Sequence, residues 1–240
     1  MTTRYHGHLA LSHFDEKTQT QLEGSSVMLI GMGGIGCPTA LYLAAAGVGR
    51  LLLCDFDRVS ESNLTRQILF TENDVGELKV TQAAKKLRAL NSSVTVDICT
   101  DRIDADTAND VGANCQLWID TSDNWATRMA VNQAALASAT PWLMAAAIRR
   151  EGQLALFQPS TKNACYACLY ADAANTMDNC AGAGVMSTVA GSIGVAAAHL
   201  ALSFLTGTEV TRELRLFDGH GLAWQSLTTH KNPDCCVCNP

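Results

Sequence analysis

The chain has 240 residues, 48% hydrophobic and 17% charged, and a formal net charge of −6. This composition predicts one globular domain with a substantial core and excludes a disordered chain, which would be more polar and more highly charged. The negative charge argues against a nucleic-acid-binding protein, because contacts with phosphate need clustered Lys and Arg. Ten cysteines behind an N-terminus without a signal-peptide pattern indicate a reducing, cytoplasmic compartment, where paired thiols point to a metal.

Short apolar runs alternate with helical patterns after a polar N-terminal arm at 1–26. The sequence predicts strands at Val27–Ile30, Leu51–Cys54, Val94–Cys99, Leu117–Asp120, Trp142–Ala146, Gln153–Phe157 and Glu213–Phe217. It predicts helices at Phe14–Leu22, Thr39–Ala46, Lys79–Leu90 and Trp125–Ser138. Such alternation is typical of an α/β fold, in which helices flank a mainly parallel, Rossmann-like sheet, with the last two strands antiparallel at one side.

The stretch Ala181–Thr208 contains no Asp, Glu, Lys or Arg and is long enough to span a bilayer. Its residues are mostly Gly, Ala, Ser and Thr, so its transfer into lipid would be only modestly favourable. This composition favours a helix packed closely inside the protein or against a second copy. We therefore predict no association with a membrane.

Three glycines, Gly31, Gly33 and Gly36, lie between the first predicted strand and the following helix. Their spacing matches the dinucleotide-binding fingerprint, in which glycines allow a tight turn and a close approach of the backbone to phosphate. Asp55 lies 19 residues beyond Gly36, where a carboxylate can bind ribose hydroxyls. An ordinary tight turn is the alternative, and the loop by itself is compatible with either NAD or ATP.

Polar side chains are concentrated between the second predicted strand and Lys79. Arg66 can grip phosphate oxygens with two hydrogen bonds, and Lys79 can bring positive charge to an oxygen that gains charge in a transition state. Asp123 follows the strand Leu117–Asp120, and its carboxylate is a candidate ligand for magnesium. These residues indicate phosphoryl or nucleotidyl transfer. The alternatives are a solvated loop and, for Asp123, a role in capping the next helix.

Two pairs of cysteines have the spacing of a zinc site. Cys165 and Cys168 form the first pair, and Cys235 and Cys238 form the second. Four thiolates can hold zinc in a closed tetrahedral site, which would tie the C-terminus to the middle of the chain. Cys236 could replace Cys235 as a ligand, and free buried thiols or two local disulfides would explain the same residues.

The order and spacing of these motifs from Arg4 to Cys238 resemble the ThiF/MoeB/HesA family, relatives of the ubiquitin-activating enzymes. The segments that carry the resemblance are Gly31-Met32-Gly33-Gly34-Ile35-Gly36, Asp55-Phe56-Asp57, Ser62-Asn63-Leu64-Thr65-Arg66-Gln67, Lys79 and Asp123-Asn124. The resemblance implies a nucleotidyltransferase that uses ATP to adenylylate the C-terminal Gly of a ubiquitin-like sulfur-carrier protein ending in Gly-Gly, with release of pyrophosphate. We expect one domain, 1–240, in which 27–150 bind the nucleotide and 151–240 bind the carrier and zinc.

The resemblance also assigns roles to individual residues. The nucleotide contacts that it implies are Gly31, Gly33, Gly34, Gly36, Asp55, Asp57, Ser62, Asn63, Leu64, Thr65, Arg66, Gln67, Lys79, Asp123 and Asn124. Among them, Asp55 would hold the ribose, Arg66 and Lys79 would stabilise the departing pyrophosphate, and Asp123 would hold magnesium. Cys180 matches a family cysteine that is implicated, in the thiamine-thiazole branch, in a covalent link with the carrier's thiocarboxylate; an unreactive loop cysteine is the alternative.

The N-terminal arm departs from the family pattern. Members usually open with Arg-Tyr-x-Arg-Gln, whose second Arg reaches the ATP site of the partner subunit, whereas this chain has Arg4-Tyr5-His6-Gly7-His8. Either Arg4 or another basic residue replaces the Arg missing at Gly7, or the leaving group is less stabilised here. The family and the small-residue helix together predict a homodimer.

The sequence leaves the carrier open between two branches of the family. Gln67–Thr71, Asn179–Cys180 and Leu214–Gly219 are similar to the thiamine-thiazole branch, whereas Ala147–Gln153 is similar to the molybdopterin branch. We favour a thiamine-type carrier. Because no rhodanese-like domain is recognised, we expect a separate sulfur donor such as a cysteine desulfurase. The rival interpretations are an NAD-dependent oxidoreductase and an inactive scaffold.

Overall fold

The computed structural model of the protein describes residues 3–170 and 184–239. The strands are β1 (Ser26–Ile30), β2 (Arg50–Cys54), β3 (Thr95–Cys99), β4 (Leu117–Asp120), β5 (Trp142–Ile148), β6 (Glu151–Phe157), β7 (Glu213–Asp218) and β8 (Ala223–Thr228). The helices are α1 (His6–Leu9), α2 (Glu16–Glu23), α3 (Gly36–Ala46), α4 (Lys79–Leu90), α5 (Ala105–Gly112), α6 (Trp125–Ser138), α7 (Tyr166–Tyr170) and α8 (Ser187–Leu205). Short 3-10 helices lie at Thr3–Tyr5, Glu61–Asn63 and Glu72–Asp74.

All of these strands join one sheet, in the order β3-β2-β1-β4-β5-β6-β7-β8. β1 to β5 pair in parallel, and β6 to β8 extend the sheet with antiparallel pairs. The strand order reverses at β1, where Ile30 pairs with Cys54 on one side and Asp120 on the other. Ligands of open α/β sheets bind beside the carboxyl ends of strands at such a reversal. The predicted α/β fold, including its antiparallel strands, is confirmed.

Helices cover both faces of the parallel part of the sheet. Adjacent strand residues point to opposite faces, so Leu29 packs with Ile193 on the side of α3, α4 and α8. Met28 packs with Trp118 and Val131 on the side of α5 and α6. Burial of each such side chain stabilises the fold by about 1.5–3 kcal/mol. The two cores hold the carboxyl ends of β1, β2 and β4 side by side.

α8 occupies most of the uncharged stretch noted in the sequence. Within the described ranges it is the helix that is long and apolar enough to cross a membrane, and 50% of its most apolar window is buried inside the protein. A Cβ on its Gly194 would lie 2.4 Å from the Ile35 carbonyl oxygen and 2.5 Å from Pro38 Cγ. The small residues therefore allow α8 to pack directly on the start of α3, which matches the close internal packing that we predicted.

Candidate functional site

The glycine loop between β1 and α3 is a tight turn held by hydrogen bonds. Gly31 has a φ of +90°, which L side chains rarely adopt, and its N–H donates to the Cys54 carbonyl at 2.8 Å. The next N–H, of Met32, donates to Asp55 Oδ2 at 2.6 Å. A Cβ on Gly36, the first residue of α3, would lie 2.0 Å from the Gly31 oxygen. The turn itself therefore requires both outer glycines of the fingerprint.

The middle of the glycine loop faces open space. A Cβ on Gly33 would have no described atom within 4 Å. A Cβ on Gly34 would lie 3.1 Å from Arg66 Cγ and 3.2 Å from Ala190 Cβ, so Arg66 and α8 line this part of the loop. Backbone N–H groups at the start of a helix attract anions, and the open side of Gly33 leaves room for a phosphate to approach them.

Lys79 and two aspartates form an ion cluster beside the glycine loop. The Lys79 Nζ lies 2.9 Å from Asp57 Oδ2 and 3.9 Å from Asp55 Oδ2. The side chains of Lys79 and Asp55 are 6% and 8% exposed, whereas that of Asp57 is 52% exposed. Because the ammonium is buried, its interactions are stronger than those of a surface lysine. The exposed Asp57 side is where a phosphate oxygen can compete for the ammonium.

The chain from Asp57 to Lys79, here named the 57–79 loop, starts and ends at the same point. The Lys79 N–H donates to the Asp57 carbonyl at 3.0 Å, and the Val59 N–H donates to the Glu77 carbonyl at 2.9 Å. Lys79 is also the first residue of α4, where the helix dipole disfavours a cation. The carboxylates of Asp55 and Asp57 offset this unfavourable interaction with the helix dipole. The two backbone hydrogen bonds hold Lys79 next to them.

The middle of the 57–79 loop brings Arg66 to the glycine loop. Arg66 is partly exposed, and its Nη1 donates to the Ser62 carbonyl at 3.3 Å. Gln67, in contrast, is 3% exposed, and its Oε1 has no hydrogen-bond partner among the described residues. Arg66 is therefore placed to meet a ligand, whereas Gln67 faces the protein interior.

The other predicted contacts of the 57–79 loop surround Arg66. Asn63 is partly exposed, and its amide nitrogen donates to Ser62 Oγ at 3.4 Å. Leu64 packs against the core, and Thr65 is exposed. The partly exposed Asn63 can thus still meet a ligand, whereas Leu64 anchors the loop to the protein.

The turn after β4 presents an exposed carboxylate. Asp123 is exposed, and no described residue hydrogen-bonds its side chain. Asn124 Oδ1 accepts the Thr127 N–H at 2.8 Å and caps α6. The capping role considered for Asp123 is therefore filled by Asn124. A single free carboxylate is what magnesium uses when phosphate oxygens and waters supply its other ligands.

A buried acid and a buried base behind this turn were missed by sequence reasoning. Asp120 is fully buried, and its Oδ1 accepts the Ser122 N–H at 2.8 Å. Burial raises the pKa of Asp120, and the charge of Arg128 opposes that rise. Arg128 on α6 is 5% exposed, and its Nη2 donates to the Ser122 carbonyl at 2.6 Å. The available signal was an acid that ends an apolar run, with an arginine on the buried face of the next helix.

Four cysteines from two distant segments form a tight cluster. The Sγ atoms of Cys165, Cys168, Cys235 and Cys238 all lie within 4.8 Å of one another, and three pairs are 3.5 to 3.8 Å apart. Around a tetrahedral zinc with Zn–S bonds of about 2.3 Å, sulfur atoms lie roughly 3.8 Å apart. Cys236 is exposed and outside the cluster. The four predicted thiols can therefore hold zinc, and Cys235 rather than Cys236 is the fourth candidate ligand.

The thiol cluster is enclosed by apolar side chains. Met129 and Leu136 of α6 and Val237 from the C-terminal segment pack against it. Burial raises the pKa of the Cys165 thiol to about 11, so this thiol is protonated at neutral pH unless a cation favours the thiolate. The absence of an open coordination position among four cysteines is typical of a structural rather than a catalytic zinc site.

Two predictions from the sequence, for Arg4 and for Cys180, are not tested by the described part of the chain. Arg4 Nη1 donates to the Leu90 carbonyl at 3.1 Å. Leu90 and Lys79 are opposite ends of α4, roughly 16 Å apart along the helix axis. Arg4 therefore does not reach the nucleotide site of its own chain, and its role in the partner subunit's site, as a substitute for the Arg missing at Gly7, stays a prediction. Cys180 lies outside the described residues.

The fold and the site together define a Rossmann-like α/β protein with an open glycine loop, a buried lysine–aspartate cluster and four clustered thiols. The model of the ThiF family matches residues 5–237. The chain belongs to the ThiF family, and the resemblance seen in the sequence is confirmed.

Curated relatives cover nearly the whole chain. The sulfur carrier protein ThiS adenylyltransferase of Escherichia coli K12 is 39% identical over 236 residues, which are 98% of this chain and 94% of that protein. The molybdopterin-synthase adenylyltransferase of Salmonella typhimurium LT2 is 35% identical over 237 residues, 98% of this chain and 95% of that protein. Among solved structures, E. coli MccB with succinimide shares the fold with a TM-score of 0.86 at 23% identity, over 99% of this chain and 75% of that chain.

Proposed function

We propose that the protein uses ATP to adenylylate the C-terminal carboxylate of a ubiquitin-like sulfur-carrier protein and releases pyrophosphate. The observation that carries the proposal is Lys79, held by Asp55 and Asp57 beside the open side of the glycine loop. Family membership and 39% identity to an enzyme named for this reaction support it.

The reaction requires charge stabilisation more than covalent help from the protein. The carrier carboxylate attacks the α-phosphorus of ATP, the bond to the β-phosphate oxygen breaks, and negative charge grows on pyrophosphate. Arg66 and Lys79 bring two cations to these oxygens, and the glycine loop supplies N–H groups. Magnesium, held by Asp123 together with phosphate oxygens, would add a further positive charge.

Asp55 suits the ribose because its carboxylate is both ordered and incompletely used. Its Oδ2 accepts the Met32 N–H at 2.6 Å, and its Oδ1 accepts the Asp57 N–H at 2.8 Å. Each carboxylate oxygen can accept a second hydrogen bond. The same side chain can thus hold the glycine loop in place and accept hydrogen bonds from ribose hydroxyls.

For the carrier, we favour a protein of the thiamine-thiazole branch, and a molybdopterin-type carrier is the alternative. The 39% and 35% identities to the two adenylyltransferases differ too little to separate the branches. We also propose that 27–150 bind the nucleotide, that 151–240 bind the carrier and a structural zinc, and that a separate protein such as a cysteine desulfurase supplies sulfur. A cytoplasmic homodimer stays a prediction.

The rival NAD-dependent oxidoreductase would use the same glycine loop and Asp55. It gives no role to a cation that lies 2.9 Å from Asp57 at the phosphate end of the loop, nor to an exposed Asp123 suited to a metal. An inactive scaffold would keep the fold without needing any of these charges. Both rivals are tested by the reaction itself.

The test is to incubate the protein with ATP, magnesium and each of two purified carriers, one thiamine-type and one molybdopterin-type. We expect the mass of one carrier to increase by one AMP, with more product from the thiamine-type carrier. A carrier that lacks its C-terminal Gly is the matched control and should stay unmodified. If neither carrier gains AMP while a nicotinamide cofactor is turned over, the oxidoreductase replaces our proposal; if nothing reacts, the scaffold does.

A further inference from the structure

A buried arginine lies beneath the turn that carries Asp123. Arg128 is 5% exposed, yet it forms no ion pair within 4.0 Å among the described residues. Its Nη2 donates to the Ser122 carbonyl at 2.6 Å, and it also hydrogen-bonds the Tyr166 side chain. Burying a guanidinium without a contacting carboxylate costs free energy, so some other interaction must account for the burial of Arg128.

The helix that carries Arg128 does not provide that reason. α6 starts at Trp125, so Arg128 lies in its first turn, where the positive end of the helix dipole disfavours a cation. The nearby negative charges are Asp120 and Asp123, which come from the preceding turn. Arg128 interacts favourably with Asp120, while Asp123 acts on Asp120 in the opposite direction. The arginine thus offsets the repulsion between two acids three positions apart.

The turn is fixed on both sides of Asp123. The Thr121 N–H donates to the Ile30 carbonyl at 2.9 Å. Ser122 is held through both backbone groups, its N–H by Asp120 and its carbonyl by Arg128. The Asp123 side chain, between these anchors and the α6 cap, is exposed and without a described partner. The hydrogen bond from Arg128 reaches the peptide unit that joins Ser122 to Asp123.

We propose that Arg128 is a positioning residue, which fixes the turn that presents Asp123 to a divalent cation bound with the nucleotide. This inference rests on the proposed function, because it needs a metal–nucleotide complex at the site. Arg128 touches neither ligand; it acts through the Ser122 carbonyl and through its charge. A residue that holds a metal ligand in place through hydrogen bonds typically changes metal affinity by roughly 10- to 100-fold.

The test measures metal binding rather than turnover. The full chain is titrated with Mn²⁺ in the presence of a non-hydrolysable ATP analogue, and free Mn²⁺ is followed by electron paramagnetic resonance. The variants are R128M, which keeps the length of the side chain without its charge, R128K, D123N and the double variant D123N/R128M. R88M is the matched control, because Arg88 also donates to a backbone carbonyl, that of Val96, away from the site.

We expect D123N and R128M each to weaken Mn²⁺ binding roughly 10- to 100-fold, and the double variant to bind no more weakly than D123N. R128K should recover part of the affinity, and R88M should match wild type. Affinity for the nucleotide in EDTA should match wild type in R128M, R128K and R88M. If R128M does not fold, D120N/R128M, which removes both buried charges, is measured by the same criteria.

Wild-type Mn²⁺ affinity in R128M would overturn the inference, and so would losses that add in the double variant, because additive losses mean that Arg128 does not act through Asp123. Nucleotide-dependent Mn²⁺ binding that is missing from the wild-type protein would instead remove the proposed function, and the inference with it. The two failures are therefore distinguished by the wild-type titration alone.

Discussion

Within residues 3–170 and 184–239, two regions are suited to cations, and they are built in opposite ways. The thiol cluster contributes four ligand atoms, all within 4.8 Å of one another, from two buried and two partly buried cysteines. The turn after β4 contributes one exposed carboxylate, that of Asp123. A site that is complete within the chain suits a permanent structural ion, whereas a site with one protein ligand binds its ion only when phosphate oxygens complete the shell. The thiol cluster is therefore suited to stabilising the fold, whereas the turn that carries Asp123 is suited to binding a substrate.

Disrupting the four-thiol zinc site should have the largest effect. We expect about one zinc per chain and its loss in Cys165→Ser, with the free energy of unfolding lowered by several kcal/mol, since structural zinc binding contributes on the order of 10 kcal/mol. Cys236→Ser is the matched control, because that thiol is exposed and outside the cluster. Elemental analysis and thermal unfolding measure both quantities. Full zinc content in Cys165→Ser, or a zinc-free wild type, would disprove the structural role.

Removing the buried cation Lys79 should impair the reaction but leave the zinc of the thiol cluster in place. We expect Lys79→Ala to lower carrier-dependent exchange of pyrophosphate into ATP by roughly 10²- to 10³-fold, the loss found when one preorganised charge-stabilising group is deleted. Lys85→Ala, an exposed lysine of the same helix, should retain activity. Zinc content should not change in either variant. Equal rates in the two variants would exclude Lys79 from the reaction.

The smallest effect should come from Asn124, whose side chain caps α6. Asn124→Ala should lower the free energy of unfolding by about 1 kcal/mol, and Asn124→Asp should keep it, because aspartate caps helices equally well. Denaturant titration measures the difference. If aspartate destabilises as much as alanine, the stabilising contact of Asn124 is not the helix cap.

Local signals made the parallel half of the fold and the glycine loop predictable. The fingerprint glycines are fixed by turn geometry, as the φ of Gly31 and the tight contact at Gly36 demonstrate. The prediction for α3 started at Thr39 instead of Gly36, because glycine and proline usually interrupt helices, although Pro38 is tolerated in a first turn. α5 was missed because it has few apolar residues, and β8 because all of its residues are exposed and lack alternation.

The interactions that complete the site could not be predicted, because they join residues that only the fold brings together. Lys79 was identified as a cation for phosphate, yet its pairing with Asp57 depends on the closure of the 57–79 loop. Arg128 carries no motif of its own, and its importance follows from its burial and from its bond to the Ser122 carbonyl. Spacing in a sequence indicates what a side chain can do, and packing decides which neighbour it acts on.

The closed ends of the 57–79 loop have a consequence for how this part of the protein can vary. Hydrogen bonds between main-chain atoms, Lys79 N–H to the Asp57 carbonyl and Val59 N–H to the Glu77 carbonyl, define the two points between which the chain travels. Backbone anchors are independent of side-chain identity, and doubling the length of a flexible excursion costs only about 0.6 kcal/mol. Insertions at exposed positions such as Ile68 and Glu72 can therefore reshape the rim of the cleft, while Arg66 and the lysine at its base keep their places.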